Sequence, residues 1–333
     1  MKILYRKFLR TLTPSVHAAT LAFFKGYPVF SWFGGSREGA PDVAIYIDNL
    51  NDDGQQIVIG NKDAIPRWNP VLFCYGENIF LFEKIGTFCD RWSTRMHNIT
   101  GWSNDISDKE INGSAFVFPS GLNGSVKTKP IFLKDLMFCG SSVESILDWS
   151  SFIEIYKVPT SKKMFEFVDR SNPICIKNKE TYSDLQTGQT KKTMGIIQPS
   201  MWIDNNVMYS FFRSSGSLHK IYYSCSKEYP FTKWEDPVPT DFDNPNSSVD
   251  VVFFNDFIYL AHNPSKQCRY PLCISKIDKK MEVVDSVVIN DNPSVEKGTM
   301  EFSYPYLVEH NSLLHLVYTC QRRKIEHCVI SMD

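Results

Sequence analysis

The sequence contains no apolar run long enough to cross a bilayer as a helix, which excludes a membrane-spanning helical protein. The N-terminal segment MKILYRKFLRTLTPS also lacks the apolar core of a secretory signal. Basic residues interrupt each of its apolar runs, at Lys2, Arg6, Lys7 and Arg10. We therefore expect a cytoplasmic protein without a membrane span.

The chain has little net charge, because 36 Lys and Arg residues nearly balance 37 Asp and Glu residues and leave −1 at pH 7. A balanced charge creates no field that would attract nucleic acid or an anionic membrane, so no nucleic-acid partner is expected. Binding of an anion would have to depend on a local cluster of arginines.

The nine cysteines are scattered and include no Cys-x-x-Cys pair. An odd number of cysteines without a secretion signal is typical of reduced, buried thiols rather than of a disulfide framework. The cysteines and histidines also lack the spacing of a zinc site. We expect neither a metal nor another cofactor.

The chain is rich in short apolar segments, since 43% of its 333 residues are hydrophobic and 14% are aromatic. These segments are bounded by Gly, Asn, Asp, Ser and Pro, which is typical of β-strands, and no segment has a sustained helical apolar stripe. The pattern predicts an all-β protein with strands at Thr20–Phe24, Pro28–Phe33, Val43–Ile47, Gln56–Ile59, Pro70–Cys74, Ile79–Lys84, Ala115–Phe118, Pro130–Leu133, Leu136–Cys139, Ser151–Tyr156, Gly195–Ile203, Val207–Phe212, Ile221–Ser226, Val249–Phe254, Phe257–His262, Pro271–Ser275, Tyr304–Glu309, Leu313–Thr319 and His327–Ser331.

An internal repeat selects among the all-β architectures. One hairpin form recurs as VLFCYGENIFLFEK, SMWIDNNVMYSFFR, VVFFNDFIYLAHN and YLVEHNSLLHLVYT. Six such units would occupy roughly 55 residues each, the usual size of a propeller repeat. We therefore predict a six-bladed β-propeller that forms a single domain over residues 1–333, with a polar surface insertion around residues 165–192.

One stretch concentrates charge on a turn, FSWFGGSREGAPDVAIYI at residues 30–47. It reads as a strand, a Gly-rich turn and a return strand, with Gly34 and Gly35 breaking the extended run. Arg37, Glu38 and Asp42 follow within the turn. Taken alone, such a turn is typical of a solvated hairpin tip.

Eight sequence blocks follow one another along the chain, as HAATL at 17–21, WFGGSREGAPDVAIYI at 32–47, WNPVLF at 68–73, TKPIFL at 128–133, IQPSMW at 197–202, DNPNSSVDVV at 243–252, RYPLCIS at 269–275 and EFSYPYLVEHNSLLHLVYTCQRRKIEHCVI at 301–330. In content and order they resemble the sialidase (neuraminidase) superfamily, and most closely its bacterial branch of BNR repeat-like exo-sialidases. The Asp-box turns typical of that superfamily are degenerate here, at Ser142–Trp149 and Ser226–Trp234.

The resemblance implies a site that binds a carboxylated sugar through three arginines, whose planar donors pair with a carboxylate. Arg213 and Arg269 match the second and third of these arginines. His17 stands where the family has the first, which is a departure from the pattern. Arg37 matches a further arginine of the first blade.

The resemblance also implies a tyrosine nucleophile, and Tyr304 matches it. A phenol with an ordinary pKa of about 10 needs a neighbouring carboxylate to accept its proton. The glutamate that serves this purpose in the family is replaced by Gln198, which cannot act as a base. Glu301 and Asp250 are the two candidates to substitute for it.

The general acid/base is expected in the charged turn, where Asp42 and Glu38 are the candidates. Asp42 fits the family block better because it lies at the foot of the return strand. Polar residues on other turns are expected to bind sugar hydroxyls, namely Asn69, Lys129 and Asn246.

These expectations lead to a retaining glycosidase that removes a terminal acidic sugar, such as sialic acid, a related nonulosonic acid, Kdo or a uronic acid. A second hypothesis is a polysaccharide lyase or hydrolase acting on uronic acids, with His17 or Tyr304 as the base of the lyase. A third is a non-catalytic propeller that binds an acidic glycan or a protein partner.

Overall fold

A computed structural model of the chain describes residues 1–49, 55–60, 62–103, 105–113, 115–145, 148–159, 165–183, 190–215, 217–291 and 300–333. The described chain is almost entirely β-structure and contains six four-stranded antiparallel sheets. This is the architecture of a six-bladed β-propeller, which confirms the predicted fold class. No helix among these residues is long and apolar enough to cross a membrane.

The chain divides into two compact units, and the first comprises Met1–Lys129 and Ser294–Asp333. It contains three of the sheets, in the strand orders β2-β3-β4-β5, β6-β7-β8-β9 and β1-β26-β25-β24. Its strands are β1 (Lys2–Phe8), β2 (Ser15–Phe24), β3 (Tyr27–Gly35), β4 (Ala44–Asp48), β5 (Ile57–Ile59), β6 (Arg67–Tyr75), β7 (Asn78–Ile85), β8 (Ser93–Asn98), β9 (Phe116–Val117), β24 (Phe302–His310), β25 (Leu313–Cys320) and β26 (Lys324–Ser331).

Two short helices belong to the first unit, a 3₁₀ turn at Cys89–Arg91 and the helix α1 at Asp108–Gly113. The residue before α1 explains where it begins. The backbone N–H of Glu110 donates to the Ser107 hydroxyl at 3.3 Å, and the Glu110 carboxylate accepts from the Ser107 N–H at 3.0 Å. This reciprocal pair is a capping box.

The second unit, Pro130–Pro293, contains the other three sheets, in the orders β10-β11-β12-β13, β16-β17-β18-β19 and β20-β21-β22-β23, together with the hairpin β14-β15. Its strands are β10 (Ile131–Leu133), β11 (Leu136–Glu144), β12 (Trp149–Lys157), β13 (Glu166–Arg170), β14 (Thr181–Ser183), β15 (Thr190–Lys192), β16 (Ile196–Asp204), β17 (Val207–Ser214), β18 (Lys220–Ser226), β19 (Val238–Asp243), β20 (Asp250–Phe254), β21 (Phe257–His262), β22 (Leu272–Ile277) and β23 (Val283–Asn290).

Every predicted strand overlaps a strand of the structure, and the four repeated hairpins are the pairs β6-β7, β16-β17, β20-β21 and β24-β25. The strands that were not predicted are mostly outer or third strands of a sheet. Their side chains are polar or exposed on both faces, as in β1 and β13, so the alternation that reveals a half-buried strand is missing. They are β1, β8, β13, β14, β15, β19 and β23.

The region predicted as a surface insertion, residues 165–192, supplies a strand to a sheet. Glu166–Arg170 is the outer strand of the β10–β13 sheet, where its five residues are exposed. Residues 181–183 and 190–192 pair as a separate hairpin. The single-domain organisation over residues 1–333 stays a prediction.

Gly34 and Gly35 were expected to break the strand, but β3 continues through both of them. A Cβ on Gly34 would collide with the Thr13 hydroxyl, and one on Gly35 would lie 3.0 Å from the backbone of Val43. These glycines therefore permit close approach of neighbouring chain segments. The turn begins after them, at Ser36.

The strands β2, β6, β16 and β24, each at one edge of its sheet, carry the same β-bulge. In each case two residues of that strand lie opposite one residue of its partner, between the paired positions His17 and Thr20, Trp68 and Val71, Ile197 and Ser200, and Ser303 and Tyr306. The first of the two extra residues has a left-handed backbone at Ala18 (φ 52°), Asn69 (φ 34°), Gln198 (φ 57°) and Tyr304 (φ 54°).

Such bulges redirect a side chain away from the regular alternation of a strand. In the two remaining sheets a left-handed residue lies shortly before an edge strand, Lys127 (φ 80°) before β10 and Asn246 (φ 60°) before β20. Left-handed backbone is unfavourable for residues with a Cβ, and within a strand it must be held by the surrounding structure. A candidate site is therefore expected along these edge strands.

A histidine pair is half-buried at the outer side of the last sheet. Nδ1 of His315 lies 3.1 Å from Nε2 of His327, and their rings stack. Burial lowers the pKa of each to about 4, with a further contribution from the positive charge of neighbouring His310 on His315. The His327 ring also contacts Tyr5 of β1 edge-on, so the pair lies where the N-terminal strand joins β26.

This pair should make the first unit sensitive to acid. The folded pKa values lie below the ordinary value of about 6.5, so the stabilisation is complete above pH 6.5 and is lost as the pH falls toward 4. We expect the free energy of unfolding in urea to fall between pH 7 and 5. About 2 kcal/mol of that loss should come from the pair, after discounting for the solvent that reaches His315.

The variant His327→Gln should show a shallower decline, while His219→Gln in the second unit serves as the matched control and should decline as the wild type does. An equally steep decline in His327→Gln would contradict the assignment.

Candidate functional site

Tyr304 occupies the bulge of β24, followed by Pro305 and opposite Tyr318 of β25. Its backbone is left-handed (φ 54°), which is unusual for a bulky residue, and its side chain is 8% exposed. The surrounding structure must therefore hold this residue in a conformation that it would not adopt by itself. His17 and Lys127 of the first unit contact its ring.

His17 packs directly on the tyrosine ring. The two ring centroids are 4.1 Å apart with an interplanar angle of 51°, and the imidazole also meets Phe33 edge-on. Nδ1 of His17 lies 3.1 Å from the Thr319 hydroxyl, which also accepts from the Ala18 N–H. The histidine is therefore a fixed, buried neighbour of Tyr304 at the position where the family has an arginine.

Lys127 is fully buried beside the same bulge, although sequence reasoning had not selected it. Its Nζ donates to the carbonyl oxygen of Pro305 at 3.0 Å and lies 5.8 Å from the Tyr304 ring centroid and 5.0 Å from that of Tyr306. Predicted Lys129 lies 5.1 Å from the Tyr306 ring centroid. A buried ammonium is costly unless it is hydrogen-bonded, so its contact with Pro305 fixes the bulge.

Glu301, three residues before Tyr304, is ion-paired. Its Oε1 accepts from Nε of Arg322 at 2.7 Å and from the Ser303 hydroxyl at 3.0 Å. A second donor of Arg322, on Nη1, pairs with Glu38. Burial opposes the positive charge of Arg322, but the Glu38 and Glu301 carboxylates, with a smaller contribution from Tyr304, hold its pKa above the ordinary value.

Arg322 was not among the candidate residues expected from the sequence, and its side chain is only 23% exposed. Nothing in the local sequence QRRK distinguishes Arg322 from Arg323, which is exposed. The distinction arises only because the turn presents one of the two arginines to Glu301 and Glu38.

Asp42 and Arg37 are exposed on the charged turn. The Asp42 carboxylate accepts from the Ser36 backbone N–H and from its hydroxyl, both at 2.8 Å. The side-chain hydrogen bond from Ser36, with smaller contributions from backbone donors and from Arg37, holds the pKa of Asp42 below its usual value. Asp42 thus closes the turn in this structure and is ionised at neutral pH.

Asn69 lies in the bulge of β6 and is 5% exposed. Its side-chain amide makes no hydrogen bond to any part of the chain that the structure describes. The preceding residues are anchored by a buried ion cluster, in which Arg67 Nε donates to Glu83 at 2.5 Å and His97 Nε2 lies 2.8 Å from the same carboxylate. Burial opposes ionisation of Glu83, but His97 and Arg67 hold its pKa below the ordinary value.

In the second unit, Arg213 is 7% exposed at the end of β17. Its Nε donates to Oδ1 of Asn246 at 2.9 Å and its Nη1 to Oε1 of Gln198 at 3.3 Å. The guanidinium also lies 5.6 Å from the ring of Trp149. These contacts orient the arginine.

Arg269 joins the same group of side chains, since its Nη2 donates to the carbonyl oxygen of Asn246 at 2.9 Å. Asn246 therefore binds both arginines, one with its side chain and one with its backbone. The Nε2 of Gln198 is buried and has no hydrogen-bond partner among the described residues. An unsatisfied buried donor beside an arginine is a feature of ligand sites.

Asp250 is fully buried at the start of β20 and accepts from the Ser200 hydroxyl at 2.7 Å. The same hydroxyl accepts from the Val251 N–H at 2.9 Å, so this carboxylate links β16 to β20. The choice between Asp250 and Glu301 as the base stays a prediction.

The sequence profile described as a BNR repeat-like domain matches residues 29–316. The chain belongs to the BNR repeat-like family. This confirms the resemblance to the sialidase superfamily. A search of curated proteins found no significant match.

Solved structures of sialidases share the fold of this BNR repeat-like protein. Trypanosoma rangeli sialidase in complex with 2,3-difluoro-KDN superposes with a TM-score of 0.60 at 10% identity, covering 96% of this chain and 54% of that one. Its complex with 2,3-difluorosialic acid, described as a covalent intermediate, gives 0.58 at 10% identity, with the same coverage.

A subtype N10 neuraminidase-like protein, from the isolate A/little yellow-shouldered bat/Guatemala, gives a TM-score of 0.55 at 9% identity, covering 99% and 100% of the two chains. This BNR repeat-like chain spans about half the length of the Trypanosoma chains. At such identities the likeness establishes the fold alone.

The BNR repeat-like fold brings the predicted residues into two groups, one in each unit. Arg322 and Lys127 of the first unit and Trp149 of the second were missed from the sequence. Lys127 lies immediately before the block TKPIFL, which begins at Thr128.

Removal of the Ser36 hydroxyl should raise the pKa of Asp42, because the ionised carboxylate loses its largest stabilising hydrogen bond. The measurement is a carboxyl-carbon NMR titration of Asp42 in wild type and Ser36→Ala. Ser36→Thr keeps the hydroxyl and should titrate as the wild type does. An unchanged midpoint in Ser36→Ala would show that the backbone N–H alone sets the pKa.

Proposed function

We propose that this protein is a retaining glycosidase that removes a terminal carboxylated sugar, with sialic acid and related nonulosonic acids as the first candidates and Kdo and uronic acids next. One observation carries the proposal. Tyr304 is held in a left-handed bulge by a buried lysine, a histidine packed against its ring and neighbouring strands, next to an arginine–carboxylate pair. Such stored strain at a single reactive side chain is typical of a catalytic position.

In the proposed reaction the Tyr304 oxygen attacks the anomeric carbon, and the bond to the aglycone oxygen breaks. Asp42 gives its proton to that oxygen, and Glu301 is proposed to take the phenol proton. Water then attacks the anomeric carbon and gives its proton to Asp42, while the bond to the Tyr304 oxygen breaks and Glu301 returns its proton to that oxygen. The sugar leaves with its original configuration. Because Glu301 is paired with Arg322, this pairing must loosen or be shared when the proton arrives.

Asp42 must be protonated to act as the acid, yet its pKa is lowered in the free protein. The proposed mechanism therefore works best at acidic pH, where a larger fraction of Asp42 carries a proton. A bound substrate carboxylate nearby would favour the protonated form as well, since like charges raise the pKa of a carboxyl group.

The substrate carboxylate is proposed to be bound by arginines. Asn246 binds Arg213 with its side chain and Arg269 with its backbone carbonyl, so both guanidinium groups lie at one residue, where their planar donors suit a carboxylate. Exposed Arg37 is the corresponding candidate on the charged turn. Asn69, whose amide makes no hydrogen bond among the described residues, is a proposed ligand for a sugar hydroxyl.

The nucleophile is tested with Tyr304→Phe and a panel of 4-methylumbelliferyl glycosides of sialic acid, Kdo and glucuronic acid. We expect the wild type to release the fluorophore from at least one of them and kcat/KM to fall by about 10³-fold or more in the variant, because covalent catalysis is lost. Incubation with 2,3-difluorosialic acid should add the mass of the sugar to wild type only. Unchanged turnover in Tyr304→Phe would eliminate this nucleophile, and Tyr306→Phe is the matched control.

The carboxylate ligands are tested with Arg213→Met and Arg269→Met. Loss of a charge-assisted contact to the substrate should raise KM by about 10-fold or more, with a smaller effect on the rate for a neutral glycoside. Arg170→Met on the exposed strand β13 is the control and should leave KM unchanged. Equal losses on acidic and neutral glycosides would argue against a carboxylate contact.

A uronate lyase is the second candidate, and the contact between His17 and Tyr304 favours it. A base beside a phenol could abstract the proton next to a uronate carboxylate, while Tyr304 protonates the leaving oxygen. A lyase yields an unsaturated, ultraviolet-absorbing product. Active digests of polyuronates without such a product would exclude this candidate.

A further inference from the structure

Arg322 lies in the tight turn between β25 and β26, where both central residues are left-handed. Gln321 has φ 52° and Arg322 has φ 55°, the geometry of a type I′ hairpin turn. Asparagine and glycine are the residues that normally occupy these two positions. The turn therefore accepts an unfavourable backbone in order to present an arginine.

The backbone of this turn is tied to neighbouring strands. The Gln321 N–H donates to the Glu301 carbonyl oxygen at 2.8 Å, and the Arg322 carbonyl oxygen accepts from the Val16 N–H at 2.9 Å. Val16 precedes His17, whose ring packs against Tyr304. The backbone of the turn that carries the Arg322 side chain is thus anchored on both sides.

The two carboxylates that bind Arg322 belong to different parts of the first unit. Glu301 immediately precedes β24, three residues before Tyr304. Glu38 lies in the turn of residues 36–43, between Arg37 and Asp42, which are the proposed anion ligand and acid. One guanidinium therefore connects the segment that carries the proposed nucleophile with the segment that carries the proposed acid.

The charge of this group favours a structural bridge over an anion site. One positive charge faces two carboxylates, so the three side chains together carry −1 when ionised. A further carboxylate would be repelled by Glu38 and Glu301 as much as it is attracted by Arg322. Arginine suits the bridge because its donors have a rigid planar spacing, whereas a lysine ammonium is a single point charge.

We propose that Arg322 is a positioning residue that holds the turn of residues 36–43 against β24, and so sets the distance between Asp42 and Tyr304. The proposal rests on the function proposed above, and it assigns to this chain a bridge at the turn that follows β25. Arg322 acts through Glu38 and Glu301 and does not contact the substrate.

The experiment follows backbone hydrogen exchange of residues 36–43 by mass spectrometry, together with kcat/KM on the acidic glycoside that the wild type cleaves best. Two hydrogen bonds within the turn report its order, the Ala40 N–H to the Arg37 carbonyl at 3.1 Å and the Val43 N–H to the Ala40 carbonyl at 3.0 Å. The variants are Arg322→Met, Arg322→Lys and Glu38→Gln. Arg323→Met, at the exposed neighbouring arginine, is the matched control.

We expect exchange over residues 36–43 to accelerate about 10-fold in Arg322→Met and in Glu38→Gln, with no further acceleration when the two are combined, because both remove the same link. Arg322→Lys should restore little of the protection. Turnover should fall about 10- to 100-fold in Arg322→Met, mainly in kcat, as expected when two reacting groups are misplaced. Arg323→Met should match the wild type in both measurements.

An exchange rate over residues 36–43 in Arg322→Met equal to that of the wild type would overturn the proposal. Additive accelerations in the variant that combines Arg322→Met with Glu38→Gln would overturn it as well. If Arg322→Met does not fold, Arg322→Lys and Glu38→Gln give the same comparison. Exchange requires no substrate, so a wild type that cleaves no glycoside would refute the proposed function while the exchange data still decide whether the bridge exists.

Discussion

The left-handed bulge that recurs in the edge strands β2, β6, β16 and β24 is the constraint on which the rest of the candidate site depends. A regular strand would send Tyr304 to one face of its sheet, whereas the bulge redirects it. The cost of such a backbone is about 1–3 kcal/mol and must be offset nearby. Lys127 bonded to the Pro305 carbonyl, His17 packed against the ring, and regular β24-β25 pairing on both sides of the bulge provide that stabilisation. The same bulge places Asn69 and Gln198, which explains why three of the predicted site residues occupy equivalent positions in different sheets.

Charges in the first unit are arranged as closed groups. The cluster of Arg67, Glu83 and His97 and the bridge from Glu301 through Arg322 to Glu38 each match carboxylates to cations, as buried or half-buried charges require. The arginines of the second unit differ, because their hydrogen-bond partners described above are amide and carbonyl oxygens.

The fold could be predicted in large part because its signals are local. Hairpins such as VVFFNDFIYLAHN repeat apolar strands around an Asn- or Asp-containing turn, and strands half-buried in a core retain that pattern wherever they occur. Outer strands such as Glu166–Arg170 could not be predicted, since exposed residues carry no alternation. The site was recognised through Tyr304, Arg213 and Arg269, whose sequence blocks follow the family order. The acid/base choice between Asp42 and Glu38 was not decided by spacing.

The sequence by itself determined the all-β class, the repeat, and the membership in a sialidase-like family, because all three are written in short segments and their order. Only the tertiary structure decided which of two adjacent arginines is ion-paired, that Glu38 is paired with Arg322 while Asp42 closes a turn on Ser36, and that Asp250 links two strands. These outcomes depend on contacts between residues far apart in the chain, as with Glu38 and Arg322, which are separated by 284 positions. No local pattern records such a contact, since it is formed only when the bulges and turns of neighbouring sheets bring the two side chains together.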